Sequence, residues 1–419
     1  MNKNFQLDRQ WRSIMHYPKV NCANQLDPFL ALRGLACLVV VFYHVAPPRN
    51  FIGYQNYDFS WILFGHGYAA VLVFFCLSGY LMGKVFYSGR YTLDRTGVFN
   101  FWRNRILRIF PLYYFSIFIL AVFVYTPILQ ISNWEYLFRL STFTYNQSLP
   151  IEFSGSFWSL STEFQFYLVV PLIYAGFKNR LQTQKQVIFS FGAILLLVCL
   201  LRLGFTVIFK TQEIHDNYIQ YIYTPLLTNI DVFMCGFLVN AWLKCKKSNE
   251  PKPSTDVLTK PFVFNVSSHA KKIIAFTLVI ILFLFTAYYY YYHGPGESIV
   301  YPAVTAIITS LFIGLFESSG NDESFHKNEK LSLDAIVRNP VRILEIGGVL
   351  SYGVYLWHQA ILAKITTIIT SIHPVEVFLI KLVGTLVLSS VLATITYYAI
   401  EIPAARWKLY RSSTKTNTP

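Results

Sequence analysis

Apolar runs of about twenty residues recur from one end of the chain to the other, separated by polar or basic stretches. A helix rises about 1.5 Å per residue, so each run is long enough to cross a hydrocarbon layer of about 30 Å. Hydropathy windows predict spans near 29–47, 62–82, 109–130, 157–177, 187–209, 222–243, 273–291, 299–316, 343–370 and 375–400. The expected fold class is an all-α polytopic membrane protein with about ten transmembrane helices. An even count puts both termini on one side. Residues 1–28 read as an N-terminal segment, 29–403 as the membrane domain and 404–419 as a tail. The first run is kept as a helix: the segment before it is long and mixed, and Pro47-Pro48 follows without a cleavage site.

Basic residues orient the bundle. The N-terminal segment, the links near 83–108, 178–186, 244–272 and 317–342, and the tail carry 28 Lys and Arg, whereas the opposite links carry only Arg49, Arg139 and Lys210. Short-loop positive charge marks the cytoplasmic side, so both termini are expected there. The composition agrees: 54% of residues are hydrophobic and only 13% charged, against roughly 25% charged in soluble domains. The formal net charge of +14 needs no nucleic-acid partner, because it gathers where anionic membrane lipid lies. Six cysteines, Cys22, Cys37, Cys76, Cys199, Cys235 and Cys245, form no close pair with metal-ligand spacing, and no metal is expected. The outer link 131–156 opens with a candidate interfacial helix, and the stretch 244–272, with Pro251, Pro253 and Pro261, reads as a loop.

Ionisable residues inside spans are costly and point to function. Those here are Arg33, His44, Glu163, Arg202, Asp231, His358, Lys364 and Lys381, of which several near helix ends could simply reach the interface. Arg33 and His44 lie eleven residues apart, about 20° beyond three full turns and about 16 Å along the axis, so they share one face. Arg103, Arg105 and Arg108 precede the third expected span; their planar forks suit phosphate oxygens, and they equally suit a purely topological role. Glu163 sits six residues into the fourth span, at a level comparable to His44, where a carboxylate could fix an imidazole. Tyr355 and His358 share a face of the ninth span, and Glu401-Ile402-Pro403 closes the tenth.

Five segments in this order resemble the acyltransferase-3 family of membrane acyltransferases: Leu32-Arg33-Gly34-Leu35-Ala36 followed by His44; Arg105-Ile106-Leu107-Arg108-Ile109-Phe110-Pro111; Phe157-Trp158-Ser159-Leu160-Ser161-Thr162-Glu163; Ser351-Tyr352-Gly353-Val354-Tyr355-Leu356-Trp357-His358; and Glu401-Ile402-Pro403. The resemblance implies O-acylation, typically O-acetylation, of envelope glycans such as lipopolysaccharide or exopolysaccharide, with acetyl-CoA or another acyl-CoA as donor, in the bacterial inner membrane. It implies His44 and Glu163 as catalytic residues and Arg33, Arg105 and Arg108 as donor-binding residues; Tyr355, His358 and Glu401 are cavity or structural candidates. The acceptor would be an envelope glycan or lipid-linked saccharide. Many members carry a fused extracytoplasmic hydrolase-like domain, which is expected to be absent here, so a separate extracytoplasmic partner protein could complete the transfer. The alternative is a transporter or exporter, since intramembrane charges also line solute paths.

The charge asymmetry predicts that the N-terminus, Lys246 and the tail are cytoplasmic while Asn56, Asn146 and Gly296 face outward. Single cysteines at these positions, in a background freed of reactive thiols, should report this with a membrane-impermeant thiol reagent. Labelling of Lys246→Cys in intact cells would overturn the orientation.

Overall fold

The computed structural model describes residues 27–55, 57–145, 153, 155–249, 267–293, 299–317, 336–337, 339–371 and 373–413. Asn56, Asn146, Gly296, the first 26 residues and the prolines of the 250–266 stretch lie outside them. The long helices are α1 (Pro28–Val45), α2 (Gly67–Tyr87), α3 (Arg95–Ile119), α4 (Phe157–Phe177), α5 (Gln184–Ile208), α6 (Leu226–Asn249), α7 (Ser268–His293), α8 (Val300–Glu317), α9 (Ile343–Ile368) and α10 (Pro374–Thr396). A two-stranded hairpin, β1 (Gly53–Tyr54) with β2 (Tyr57–Asp58), follows α1. A short helix does form in the 131–156 link, at Trp134–Ser141.

Every expected span coincides with a helix, but the count of ten is not reproduced on length and apolarity. Among the described residues seven helical segments are long and apolar enough to cross a membrane, and α4, α8 and α9 fall outside that set. The reason is chemical for two of them. α4 carries Ser159, Ser161, Thr162, Glu163 and Gln165, and α9 carries Glu345, Ser351, His358, Gln359 and Lys364. The polar groups that lower their hydropathy are mostly turned inward, where carbonyls of their own helix and side chains of neighbouring helices take part of their hydrogen bonds.

The third boundary also differs. The hydropathy window starts at 109, whereas α3 starts at Arg95, behind an Asp94 side chain that accepts from the Gly97 backbone N–H at 3.3 Å. The arginines at 103, 105 and 108 therefore lie inside the helix rather than before it. Hydropathy cuts the helix at its charges; the fold carries it through them, with Arg105 buried against Phe101 of its own helix and Tyr167 of α4.

Burial separates centre from periphery. In α2, 78% of the span is buried, against 11% in α5, so α2 forms the middle of the bundle and α5 presents most of its surface outward. α2 packs along α6 and α1 along α9. Both seams depend on glycine. A Cβ on Gly34 would lie 2.0 Å from the Leu344 carbonyl oxygen, and one on Gly348 would lie 2.1 Å from that of Leu30. Gly79 and Gly236 make the equivalent approach in the other seam, each with a backbone oxygen 1.9 Å from where a Cβ would stand. Without a hydrophobic force between helices in lipid, such backbone approach is a principal source of packing.

Contacts fix the helix directions. Arg33 meets Ser351 and His44 meets Gln359, so α1 and α9 run parallel. Tyr68 meets Asn229 and Asn240 meets Tyr80, so α2 and α6 also run parallel. Neighbours in sequence run antiparallel: Phe29 packs on Tyr80 while Tyr43 packs on His66, and Gly353 packs on Ala393.

Gly348→Ala should force α1 from α9, costing about 1–3 kcal/mol or more as overpacking does, and lower the thermal midpoint of the purified protein. Gly192→Ala, on α5 with nothing within 4 Å of the added carbon, should leave that midpoint unchanged or slightly raised. Equal loss in both variants would show that the close seam is not what the glycine provides.

Candidate functional site

The α1–α9 seam carries two polar clusters on its length. α1 begins firmly because Pro28 follows an Asp27 side chain that accepts from the Phe29 and Leu30 N–H groups at 2.9 and 3.1 Å. The Asp27 N–H in turn donates to Glu345 Oε1 at 2.5 Å, and Glu345 Oε2 accepts from Arg342 at 3.0 Å. These bonds tie the start of α1 to the start of α9 and set their relative depth.

Six residues further along both helices, Arg33 Nη2 donates to the Ser351 hydroxyl at 3.3 Å, and its guanidinium stands over the Phe74 ring at 5.7 Å. α3 brings Arg105 and Arg108 to the same region. Arg105 is buried between the Phe101 and Tyr167 rings, 5.8 and 5.9 Å from their centroids, while Arg108 is exposed. Glu163 closes the cluster from α4: its Oε1 accepts from the Tyr167 hydroxyl at 2.5 Å and from the Ser78 hydroxyl. Arg33 and Arg105 are each attracted by Glu163 and repelled by Arg108, and Glu401 is attracted by Arg108 and Arg33. Three guanidiniums and two carboxylates thus share one region, with no ion pair at contact distance between them among the described residues. The Nε atoms of Arg33 and Arg105 are buried with no hydrogen-bond acceptor among the described residues. Buried charged donors without acceptors are expensive, and an acceptor such as a water, a carbonyl or an anion would satisfy them, the anion most strongly.

The second cluster lies about 16 Å along α1, eleven residues from Arg33. The Gln359 carboxamide nitrogen is 2.9 Å from His44 Nε2 and 3.2 Å from Nδ1. The His44 ring stands 5.1 Å from that of His358, which is wholly buried. Tyr355 lies beside them, its ring 5.7 Å from His358 and its oxygen accepting from the Ser159 hydroxyl at 2.7 Å.

The structure therefore groups the expected residues differently from a simple depth comparison. Glu163 does not pair with His44: the register of α4 turns it to Ser78 and the arginines, and Gln359 takes the position beside the imidazole. Tyr167 was signalled by its place one turn after Glu163, and Gln359 by following His358; nothing local pointed to Ser78. Arg202 and Asp231 form an ion pair at 2.7 Å between α5 and α6, both side chains fully buried, and Arg202 Nε also holds the Thr228 carbonyl at 2.8 Å. With that counter-charge they serve the helix contact. Lys364 is exposed and Lys381 half-buried, as side chains reaching for an interface would be.

The model of the acyltransferase-3 family, described as an acyltransferase domain, matches residues 27–394. The chain is similar to O-acetyltransferase OatA of Staphylococcus aureus, 23% identical over 388 residues that cover 89% of this chain and 56% of the relative. It is similar also to the putative peptidoglycan O-acetyltransferase YrhL of Bacillus subtilis, 25% identical over 392 residues covering 89% and 54%. A shorter likeness, 31% over 158 residues covering 36% and 39%, links it to acyltransferase MdmB of Streptomyces mycarofaciens. The chain spans about half the length of the first two relatives. No solved structure gives a significant match. A family match running from the Asp27 cap through both clusters of the α1–α9 seam and into α10 leads to one conclusion: the chain belongs to the acyltransferase-3 family of membrane acyltransferases.

Proposed function

We propose that this protein transfers an acyl group, most naturally acetyl, from cytoplasmic acyl-CoA to a hydroxyl of a cell-envelope glycan at the outer side of the cytoplasmic membrane. The observation that carries this reading is the α1–α9 seam, with acceptor-less guanidinium donors at one level and two imidazoles about 16 Å away. That separation suits a donor whose phosphates and thioester lie at opposite ends of a long arm. The name of one relative, a putative peptidoglycan O-acetyltransferase, favours a peptidoglycan-type acceptor over the lipopolysaccharide or exopolysaccharide suggested by motif resemblance. The helix directions are those expected of ten alternating spans with both termini on one side, and the basic links favour the cytoplasm for that side, with 1–28 and 404–419 as the flanking segments. Strict alternation makes α1 parallel to α9 and α2 parallel to α6, as their contacts require.

In this mechanism Arg33, Arg105 and Arg108 hold the donor phosphates, and Glu163, through Ser78 and Tyr167, keeps the cluster in place. The pantetheine arm follows the seam to His44. There the hydroxyl oxygen ends bonded to the acyl carbon, the C–S bond breaks, and the hydroxyl proton reaches the thiolate. His44 serves as proton acceptor or as transient acyl carrier; both roles need it in contact with the reacting atoms.

Purified protein in nanodiscs, given labelled acetyl-CoA and soluble glycan fragments, should release CoA only as acceptor becomes labelled. Movement of unmodified solute without thioester cleavage would instead support a transporter.

Arg105→Ala and Arg108→Ala should each weaken acetyl-CoA binding by about tenfold or more, since a charge-assisted bond is worth about 1.5–3 kcal/mol. Lysine should rescue only in part because it lacks the planar fork. His44→Ala should bind donor nearly as the parent does and fail in transfer. Calorimetric titration at fixed salt, beside turnover, separates the two classes. Parental affinity in both arginine variants would return these residues to a topological role.

A further inference from the structure

His358 is wholly buried, and its ring is fixed in a way that the contact with His44 alone does not require. Nδ1 lies 2.8 Å from the Tyr355 carbonyl oxygen and 3.2 Å from that of Val354. Carbonyl oxygens only accept hydrogen bonds, so Nδ1 carries the proton and the lone pair of the neutral ring sits on Nε2. That Nε2 is buried and meets no hydrogen-bond partner among the described residues. Leaving a buried acceptor unsatisfied costs stability, and a histidine serving only α9 would need no more than its bond to Tyr355. The free lone pair belongs to a ring 5.1 Å from that of His44. Two imidazoles thus share one space, while the reaction has two tasks: carrying the acyl group and moving a proton.

We propose that His358 is a second catalytic histidine, the base that takes the acceptor hydroxyl's proton on Nε2, and that His44 is the acyl carrier. This rests on the acyl-transfer reading above and chooses between its two variants. In the first half-reaction a His44 ring nitrogen attacks the thioester carbonyl. A C–N bond forms, the C–S bond breaks, and the thiolate takes the proton from the other ring nitrogen of the acyl-imidazolium to leave as CoA-SH. In the second, the hydroxyl oxygen attacks the acyl carbon while its proton passes to His358 Nε2. The C–N bond to His44 breaks, and His358 returns that proton to the departing His44 ring. Both imidazoles end neutral, and neither oxidant nor reductant is needed. Gln359, hydrogen-bonded to His44, is a positioning residue for the carrier.

His358→Asn retains an amide donor for the Tyr355 carbonyl and removes the base, so it separates the half-reactions. Rapid-quench experiments with labelled acetyl-CoA in nanodiscs should show a burst near one CoA per enzyme and label retained on the protein. Acceptor-dependent turnover should fall about 100-fold or more, the scale of general base catalysis. Added imidazoles should restore turnover in order of their basicity, an effect that a packing defect would not produce. His44→Ala should show neither burst nor turnover. Should His358→Asn fail to fold, His358→Gln is read in the same way. Turnover within about threefold of the parent, or loss of the burst in a variant with parental melting and donor affinity, would overturn the assignment, as would rescue independent of basicity. The parent is measured first: a parent that transfers no acetyl sinks the functional reading itself, whereas an active parent with an active His358→Asn sinks only this assignment.

Discussion

The backbone-to-backbone approach of α1 and α9 at Gly34 and Gly348 is the constraint on which the rest of the site depends. Carbonyl oxygens standing about where a methyl group would be leave no latitude in distance and little in rotation. Once that contact is made, Arg33 must face Ser351, and eleven residues further on His44 must face Gln359 and His358. The two clusters are thus consequences of one helix crossing. The bonds from Asp27 to Glu345 and from Glu345 to Arg342 remove the remaining freedom, sliding along the axis.

Around this seam the bundle handles charge in two ways. Arg202 receives a carboxylate and a carbonyl, and the pair joins two helices that otherwise offer mostly apolar surface. Removing one partner from such a pair leaves an uncompensated charge, so it is retained even where a hydrophobic pair would serve as well. Arg202 Nη1 and Asp231 Oδ2 also keep no hydrogen-bond partner among the described residues, but the two charges of that pair offset each other at 2.7 Å. Arg33 and Arg105 have no carboxylate at ion-pair distance among the described residues. They keep buried donors without acceptors, beside a carboxylate held by two hydroxyls. An arrangement left incomplete at this cost fits a ligand that completes it. His358, with one nitrogen satisfied and the other not, repeats the pattern in the second cluster.

Aromatic packing gives these groups their rigidity. Phe75, Phe166 and Phe233 stack at 4.3–4.4 Å between centroids in the centre of the bundle, behind Glu163 and Ser78. His66 caps α2 by accepting from the Ala69 N–H at 3.0 Å and stacks on Tyr301 at 4.4 Å, which fixes the N-terminal end of the helix that carries Ser78. Stacked rings contribute geometric preference beyond their buried area.

Much of this was legible in the chain itself. Hydrophobic run length is a local sum, so the ten long helices were visible, though the 12-residue helix Ile402–Ser413 was not, and motif order identified the family. Arg33 and His44 could be put on one face because helical periodicity is also local. The failures share a cause. Hydropathy marked the third helix as starting after its arginines, and it cannot see that Arg105 is enclosed by Tyr167 and opposed by Glu163. Depth alone put Glu163 at a level comparable to His44, whereas the rotation of α4 gave it to Ser78. Neither Ser78 nor the pairing of Arg202 with Asp231 had any signal, because partners of 85 and 29 residues' separation meet only when several helices have chosen their rotations together. The chain by itself determined which segments are helices and which residues are costly in lipid. Tertiary structure decided which costly residues meet, because rotation and depth are set by distant backbone contacts such as that between Gly34 and Leu344.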